Sequence, residues 1–236
     1  MKQTRREFLI LAGAVVIVSA LPFPVLAQSR MKIGIVGSGN VGSNIGASWV
    51  RAGHEVMFSS LDIEHDKALA ARLGGGARAG TPREAATFGE VLMISVPYHA
   101  LPAVGKELAD AYKGKVVIDT NNPFTHRDGE TGKWALEKGA GLASRELLPG
   151  ARIVRAFNAI AAARMGSAYQ EPGKVGMPIA SDDAKAVEVA SRLIRDVGYE
   201  PVLIGGLEKG KYLMPGQPFS GEHSADEIRK IAAGLN

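Results

Sequence analysis

The sequence predicts an α/β protein: a Rossmann-type, doubly wound, mostly parallel sheet with a short α/β C-terminal extension. Three observations carry that expectation. From Met31 onward, short apolar runs rich in β-branched residues alternate with amphipathic segments. The first run, residues 32–36, feeds directly into Gly37-Ser38-Gly39-Asn40-Val41-Gly42, three glycines spaced G-x-G-x-x-G. A helix-like segment opens at Asn40. In that order Gly37 permits the tight turn, Gly39 lets backbone amides approach a pyrophosphate, and Gly42 lets helix and strand pack closely. A diphosphate would then rest on the positive end of the helix. The competing reading is a glycine-rich βα turn that binds nothing.

The elements follow in order. Residues 32–36 form the first strand and 40–52 the first helix, closed by Gly53. Residues 55–59 are the second strand, 64–73 a helix, and Gly74-Gly75-Gly76 a break. A short strand at 78–80 precedes Thr81-Pro82, where Pro82 suits the first position of a small helix. Residues 91–96 are almost wholly apolar, as expected for a strand buried on both faces. A helix at 101–112 and a strand at 115–119 follow. Residues 121–133 read as a long polar loop carrying Pro123, His126, Asp128, Gly129 and Gly132. A short helix at 144–148 and a sixth strand at 153–157 come next. The remainder alternates again: helix 160–168, strand 175–180, helix 182–197 capped by Asp182 or Ser181, strand 201–204, and a last helix near 224–233. It reads as an extension of the same sheet, beginning at about residue 159.

Composition narrows the function. At 236 residues the chain suits one large α/β domain, here residues 28–236, better than two small ones. The formal net charge is +4, and Lys2, Arg5 and Arg6 against Glu7 account for half of it. What is left gives no basic stripe and no expectation of a nucleic-acid partner. Without cysteine there is no thiol nucleophile or thiolate metal site, and no histidine spacing suggests a metal. Residues 1–27 lie outside the expected fold. Thr4-Arg5-Arg6-Glu7-Phe8-Leu9 closely resembles the bacterial twin-arginine export motif, an apolar stretch runs from Phe8 to Leu21, and Val25-Leu26-Ala27 suits cleavage before Gln28. The expectation is a removed signal and a periplasmic body, with membrane contact only through that signal; an uncleaved anchor is the alternative.

Ligands of an open parallel sheet bind beyond the carboxyl ends of the strands. That places Ser38, Asn40 and Val41, then Ser59 and Ser60, then Pro97, Tyr98 and His99, then Asn121, Asn122 and Pro123, and finally Asn158 around one cleft. A carboxylate ending the second strand would accept the adenosine ribose hydroxyls of NAD and repel the 2′-phosphate of NADP. Ser59-Ser60 offers neutral hydroxyls, so NADP is expected, with NAD as the alternative.

Several segments in one order, Met31 to Gly39, Gly53-His54-Glu55-Val56, Ser95-Val96-Pro97, Val117-Ile118-Asp119 through Asn122-Pro123, and Val154-Arg155-Ala156-Phe157-Asn158, resemble the NADP-dependent reductases of the deazaflavin coenzyme F420. Their Rossmann domain is shared with ferric reductases of the STEAP type. The similarity spans about Met31 to Leu235. In that family a Ser-Arg pair after the second strand contacts the 2′-phosphate; Ser60 matches the serine, and Leu61 replaces the arginine.

The resemblance implies hydride transfer between nicotinamide and a deazaflavin or flavin-like ring, chemistry that asks for positioning more than for acid–base groups. The expected cofactor set is Gly37, Ser38, Gly39, Asn40, Val41, Gly42, Ser59, Ser60, Val96, Pro97 and Asn158. Pro97 and Tyr98 are expected against the nicotinamide, with Asn158 beside its amide. Met177, Met214 and the 213–219 segment are expected to pack the last helix, with covering an apolar ring as the alternative. Two other functions stay open: reduction of a small imine or carbonyl, and an exported nucleotide-binding or redox-partner module without turnover. A homodimer also stays open.

Overall fold

The structure, a computed structural model, describes residues 30–235. The leader expected at residues 1–27 lies outside the described residues. The elements are β1 (Lys32–Val36), α1 (Asn40–Arg51), β2 (Glu55–Ser59), α2 (Ile63–Leu73), β3 (Ala77–Ala79), α3 (Pro82–Phe88), β4 (Val91–Ile94), α4 (Leu101–Glu107), α5 (Ala109–Tyr112), β5 (Val116–Asp119), α6 (Thr125–Lys138), α7 (Ala140–Leu147), β6 (Arg152–Arg155), α8 (Ala162–Met165), β7 (Gly176–Ala180), α9 (Ala184–Asp196), β8 (Glu200–Gly205) and α10 (Ala225–Ala233). They form one eight-stranded sheet in the order β3-β2-β1-β4-β5-β6-β7-β8. The first six strands are parallel in the order of a dinucleotide-binding sheet. β7 joins β6 antiparallel, and β8 runs parallel to β7. The strand order reverses between β1 and β4, which opens a crevice beyond their carboxyl ends.

Alternation along the strands builds two cores. Ile33, Ile35, Val56, Phe58 and Met93 pack with Ile45 and Trp49 of α1 and Leu193 and Ile194 of α9. Val36, Leu92, Ile94 and Val117 pack on the other face with Leu101, Ala135, Ala143 and Leu148. The two long helices of the first face are tied across the sequence: the Trp49 indole N–H donates to the Leu193 carbonyl at 2.8 Å, and His54 Nε2 meets Asp196 Oδ2 at 3.0 Å. Under α10, Phe219, Leu213, Val202 and Ile228 form a third cluster. Leu213 and Phe219 pack against Ile228 of the last helix as expected, whereas Met177 turns to the first core, where its sulfur accepts the Phe157 amide.

Four local expectations are corrected. Residues 121–133 are not a long loop: α6 begins at Thr125, and the Asp128 carboxylate accepts the Phe124 amide at 2.8 Å to hold its first turn. Gly129, at φ 53°, breaks this helix into two pieces, and the polar composition around the break hid it. The helix expected at 101–112 is divided at Leu108, whose φ and ψ are −109° and 9°. The helix expected at 160–168 shortens to α8 and a 3-10 turn at Ala168–Gln170. The cap of α9 is Asp183, which accepts the Ala186 amide at 3.0 Å. Ser181 and Asp182 are engaged elsewhere, by the Ile153 carbonyl and the Leu207 amide.

Candidate functional site

The glycine loop is built by close backbone contacts. Gly37 has φ 101°, and a Cβ there would lie 2.1 Å from the Ser95 carbonyl oxygen. Its amide and that of Ser38 both donate to the Ser59 carbonyl, at 2.8 and 3.0 Å, so the loop is fastened to the end of β2. A Cβ on Gly42 would meet the Gly37 carbonyl at 2.1 Å, the tight helix–strand contact expected of the third glycine. Gly39 differs: nothing lies within 4 Å of a Cβ built on it. Its side of the chain is open.

The helix that follows is uncapped. α2, α3, α9 and α10 each receive a side-chain cap, from Asp62, Thr81, Asp183 and Ser224. The 12-residue α1 begins at Asn40, after Gly39, with no side-chain cap. The first-turn amides of Asn40, Val41 and Gly42 therefore retain donor capacity and the positive end of the dipole. Two cavities meet at this point. One, of about 590 Å³, lies against Gly37, Gly39, Ser60, Leu61, Asp62, Pro82 and the α4 residues Ala103 and Val104; its walls are mainly apolar. The other, of about 250 Å³, lies against Asn40, Val41, Pro97, Thr120, Asn121, Asn122, Phe124 and Arg127. Gly39, Ser95, Val96 and Pro97 border both. Together they form one groove across the strand ends, with the open helix terminus at its middle.

The structure rearranges the expected residues around that groove. Gly39, Asn40, Val41, Val96 and Pro97 line it, and Gly37 and Ser60 border its larger half. Ser38 is turned away, its hydroxyl donating to the buried Asp66 carboxylate. Ser59 is fully buried and donates to the Ile35 carbonyl at 2.6 Å, so its hydroxyl faces no ligand. Ser60 donates to Asp66 Oδ2 at 2.8 Å. Of the two hydroxyls only that of Ser60 borders the groove, and it is engaged with Asp66. Tyr98 is also corrected. Its ring is wholly buried in the second core, where its hydroxyl meets the Ala140 carbonyl and Ser144 Oγ, each at 3.0 Å. Burial pushes that phenol well above its ordinary pKa. The turn after β4 sends Pro97 to the cleft and Tyr98 to the core.

Asn158, expected in the cofactor set, is buried and lines neither cavity; it touches Asn121 and Asn122, which line the smaller one. Its carbonyl accepts Asn122 Nδ2 at 2.7 Å, its amide group donates to the Asn121 carbonyl at 3.5 Å, and its buried Oδ1 has no protein partner. Phe157, just before it, has φ 63°, an uncommon conformation for an aromatic residue. The ring is held by edge contacts with Trp49 and Tyr199, at centroid distances of 6.4 and 5.9 Å. A buried network sets the wall in front. Arg155 donates to Asp119 at 2.6 Å, Asp119 accepts both the backbone and side-chain N–H of Asn121, and Asn121 Oδ1 accepts the Val96 amide at 2.7 Å.

Sequence reasoning missed Arg127 and the role of Asp128. The Asp128 side chain is wholly shielded and is approached by Arg127 at 2.8 and 2.9 Å, by the Phe124 amide, and by His99 Nδ1 at 2.9 Å. Burial alone would raise its pKa, but hydrogen bonds from Arg127, Phe124 and His99 outweigh that and hold it well below the usual carboxylate range. Arg127 also donates to the Asn122 carbonyl at 2.7 Å and presents a cation to the smaller cavity. An Arg-Asp pair soon after Asn-Pro was the available signal. His126 does not line either cavity; its ring lies 5.6 Å from that of Phe124. Among the described residues, no cluster of three or more His, Cys, Asp or Glu could hold a metal, and no helix is long and apolar enough to cross a membrane.

Residues 32–123 match the family model described as NADP oxidoreductase, coenzyme F420-dependent. An F420-dependent NADP reductase of Methanothermobacter marburgensis is 29% identical over 197 residues, 78% of this chain and 88% of that one. Metalloreductase STEAP3 of Rattus norvegicus is 27% identical over 188 residues, 76% of this chain and 35% of that longer protein. Among solved structures, a hypothetical protein of Sinorhizobium meliloti superposes with a TM-score of 0.67 at 22% identity, covering 83% of this chain and 95% of that one. That likeness concerns the fold.

Proposed function

We propose that this chain is an NADP-dependent oxidoreductase of the coenzyme F420-dependent family, exchanging hydride between nicotinamide and a deazaflavin or flavin-like ring. The observation that carries the reading is the uncapped terminus of α1 beside the open face of Gly39, placed where the two cavities meet. The amides of Asn40, Val41 and Gly42 fit a diphosphate there. The larger, apolar cavity suits a flat purine, and the smaller one suits a nicotinamide. The unpaired Asn158 Oδ1 has the acceptor chemistry a carboxamide N–H requires.

When bound, the nicotinamide supplies or takes the hydride. The chain's own contribution is placement. Pro97 and Phe124 give apolar walls that exclude water, Asn121 fixes the Val96 amide, and Arg127 presents positive charge to the partner ring. No side chain needs to move a proton for the hydride itself to pass. β7 and β8 continue the sheet as the expected α/β extension. The arginine pair and apolar stretch of the leader support export by the twin-arginine route to the periplasm.

The test is a titration of purified protein with NADPH, followed by cofactor fluorescence, then mixing with oxidised deazaflavin while its absorbance is recorded. Saturable binding and loss of the oxidised deazaflavin band are expected. No response at high micromolar NADPH overturns the reading.

A further inference from the structure

The end of β2 does not carry the charge that a 2′-phosphate calls for. Ser60, Leu61 and Asp62 border the larger cavity beside Gly37 and Gly39, where the adenosine end of a dinucleotide would lie. The hydroxyl of Ser60 is donated to Asp66, and Leu61 stands fully exposed where an arginine would be useful. Asp62 is an exposed carboxylate that also takes the Glu64 and His65 amides, at 3.1 and 3.0 Å, so the start of α2 is closed to a second anion. The other ionisable group on this cavity is Glu107, again acidic; no Lys, Arg or His lines it among the described residues. Neighbouring cations are engaged: Arg83 with Asp110 and the Glu107 carbonyl, Arg78 with Glu55, Lys67 with Glu64, and the His65 ring near Asp66.

We propose that Asp62 makes the adenosine end of this site permissive, so that the non-phosphorylated dinucleotide binds about as well as the phosphorylated one. The inference rests on the dinucleotide reading above and deepens it. A ribose 2′-hydroxyl can donate to the Asp62 carboxylate, whereas a 2′-phosphate meets a like charge with no compensating cation. Both cofactors share the open amides of α1, so the diphosphate anchors either one. The balance between them is decided at residues 61 and 62.

The test measures equilibrium binding of NADH and NADPH to the full-length protein by fluorescence titration, in wild type, Asp62→Asn and Leu61→Arg. Asparagine is a good helix cap, so Asp62→Asn keeps α2 intact. The wild-type dissociation constants are expected to differ by less than about tenfold. Asp62→Asn should tighten NADPH by roughly three- to fivefold with little change for NADH, an effect that shrinks in 0.5 M salt at about a 4 Å Debye length. Leu61→Arg should tighten NADPH by about tenfold, through a charge-assisted pair. A wild-type preference for NADPH above about tenfold overturns the proposal, as does an Asp62→Asn ratio equal to that of wild type. Failure of both cofactors to bind overturns the dinucleotide reading itself, and the proposal with it.

Discussion

Arg155 and Asp119 face each other across neighbouring strands at 2.6 Å, and both side chains are wholly removed from solvent. The pair is more than a fastening between β5 and β6. Asp119 also accepts two hydrogen bonds from Asn121, which in turn holds the Val96 amide at the wall of the smaller cavity. Replacing Arg155 by Met leaves an uncompensated buried carboxylate. We expect Arg155→Met to lose about 3–5 kcal/mol of stability in urea denaturation. A loss below about 1 kcal/mol would show that the pair is dispensable to the fold.

Two of the three loop glycines, Gly37 and Gly39, should separate folding from binding. Gly39→Ala places a methyl group in open space at φ −66°, so its stability should fall by less than about 2 kcal/mol. Its affinity for NADPH should fall by at least about tenfold, because the methyl occupies the approach of the diphosphate. Gly37→Ala forces a Cβ against the Ser95 carbonyl at φ 101° and should lower stability by more than about 2 kcal/mol. Thermal unfolding combined with cofactor titration checks both variants. Normal NADPH affinity in Gly39→Ala would move the diphosphate away from this loop.

Tyr98 follows the central strand, where the sequence suggests a place beside the nicotinamide, yet its hydroxyl is committed to Ala140 and Ser144. Tyr98→Phe should cost about 1–2 kcal/mol of stability and leave NADPH affinity within about twofold of wild type. The same two measurements decide this. A large affinity loss in a stable variant would return Tyr98 to the site.

Asp128 gives the fold an acid-sensitive contact. Its pKa is lower in the folded state than the ordinary carboxylate value of 3.8, so its contribution is complete above that value and lost as pH falls through the lower, folded one. Asp128→Asn should lower stability by about 1–3 kcal/mol at pH 7, and the gap from wild type should narrow below about pH 4. Urea midpoints at pH 7 and pH 3 test the sign. A gap that widens in acid would contradict it.

Much of the architecture was legible because it is local. β1 follows directly from its β-branched run, β2 from the short apolar run after Gly53, and the start of α1 from the glycine spacing. α6 was hidden because Gly129, Gly132 and a polar first turn look like a loop, and its first turn is held by Asp128. The site was legible only in part. Pro97 and Asn40 reach the groove as their places after strands suggest, whereas Ser59 and Tyr98 turn away from it.

By itself the sequence determined the alternating βα order, the glycine loop and the absence of thiol chemistry, since each depends on residue type and short spacing. Only the tertiary structure decided which side chains the groove receives. Ser59, Ser60 and Tyr98 carry hydroxyls in the right stretches, but each is satisfied by a carbonyl or carboxylate that folding brings to it, 24, 6 and 42 residues away. Buried polar groups take the partners that packing brings to them, and spacing along the chain does not show which partners those are.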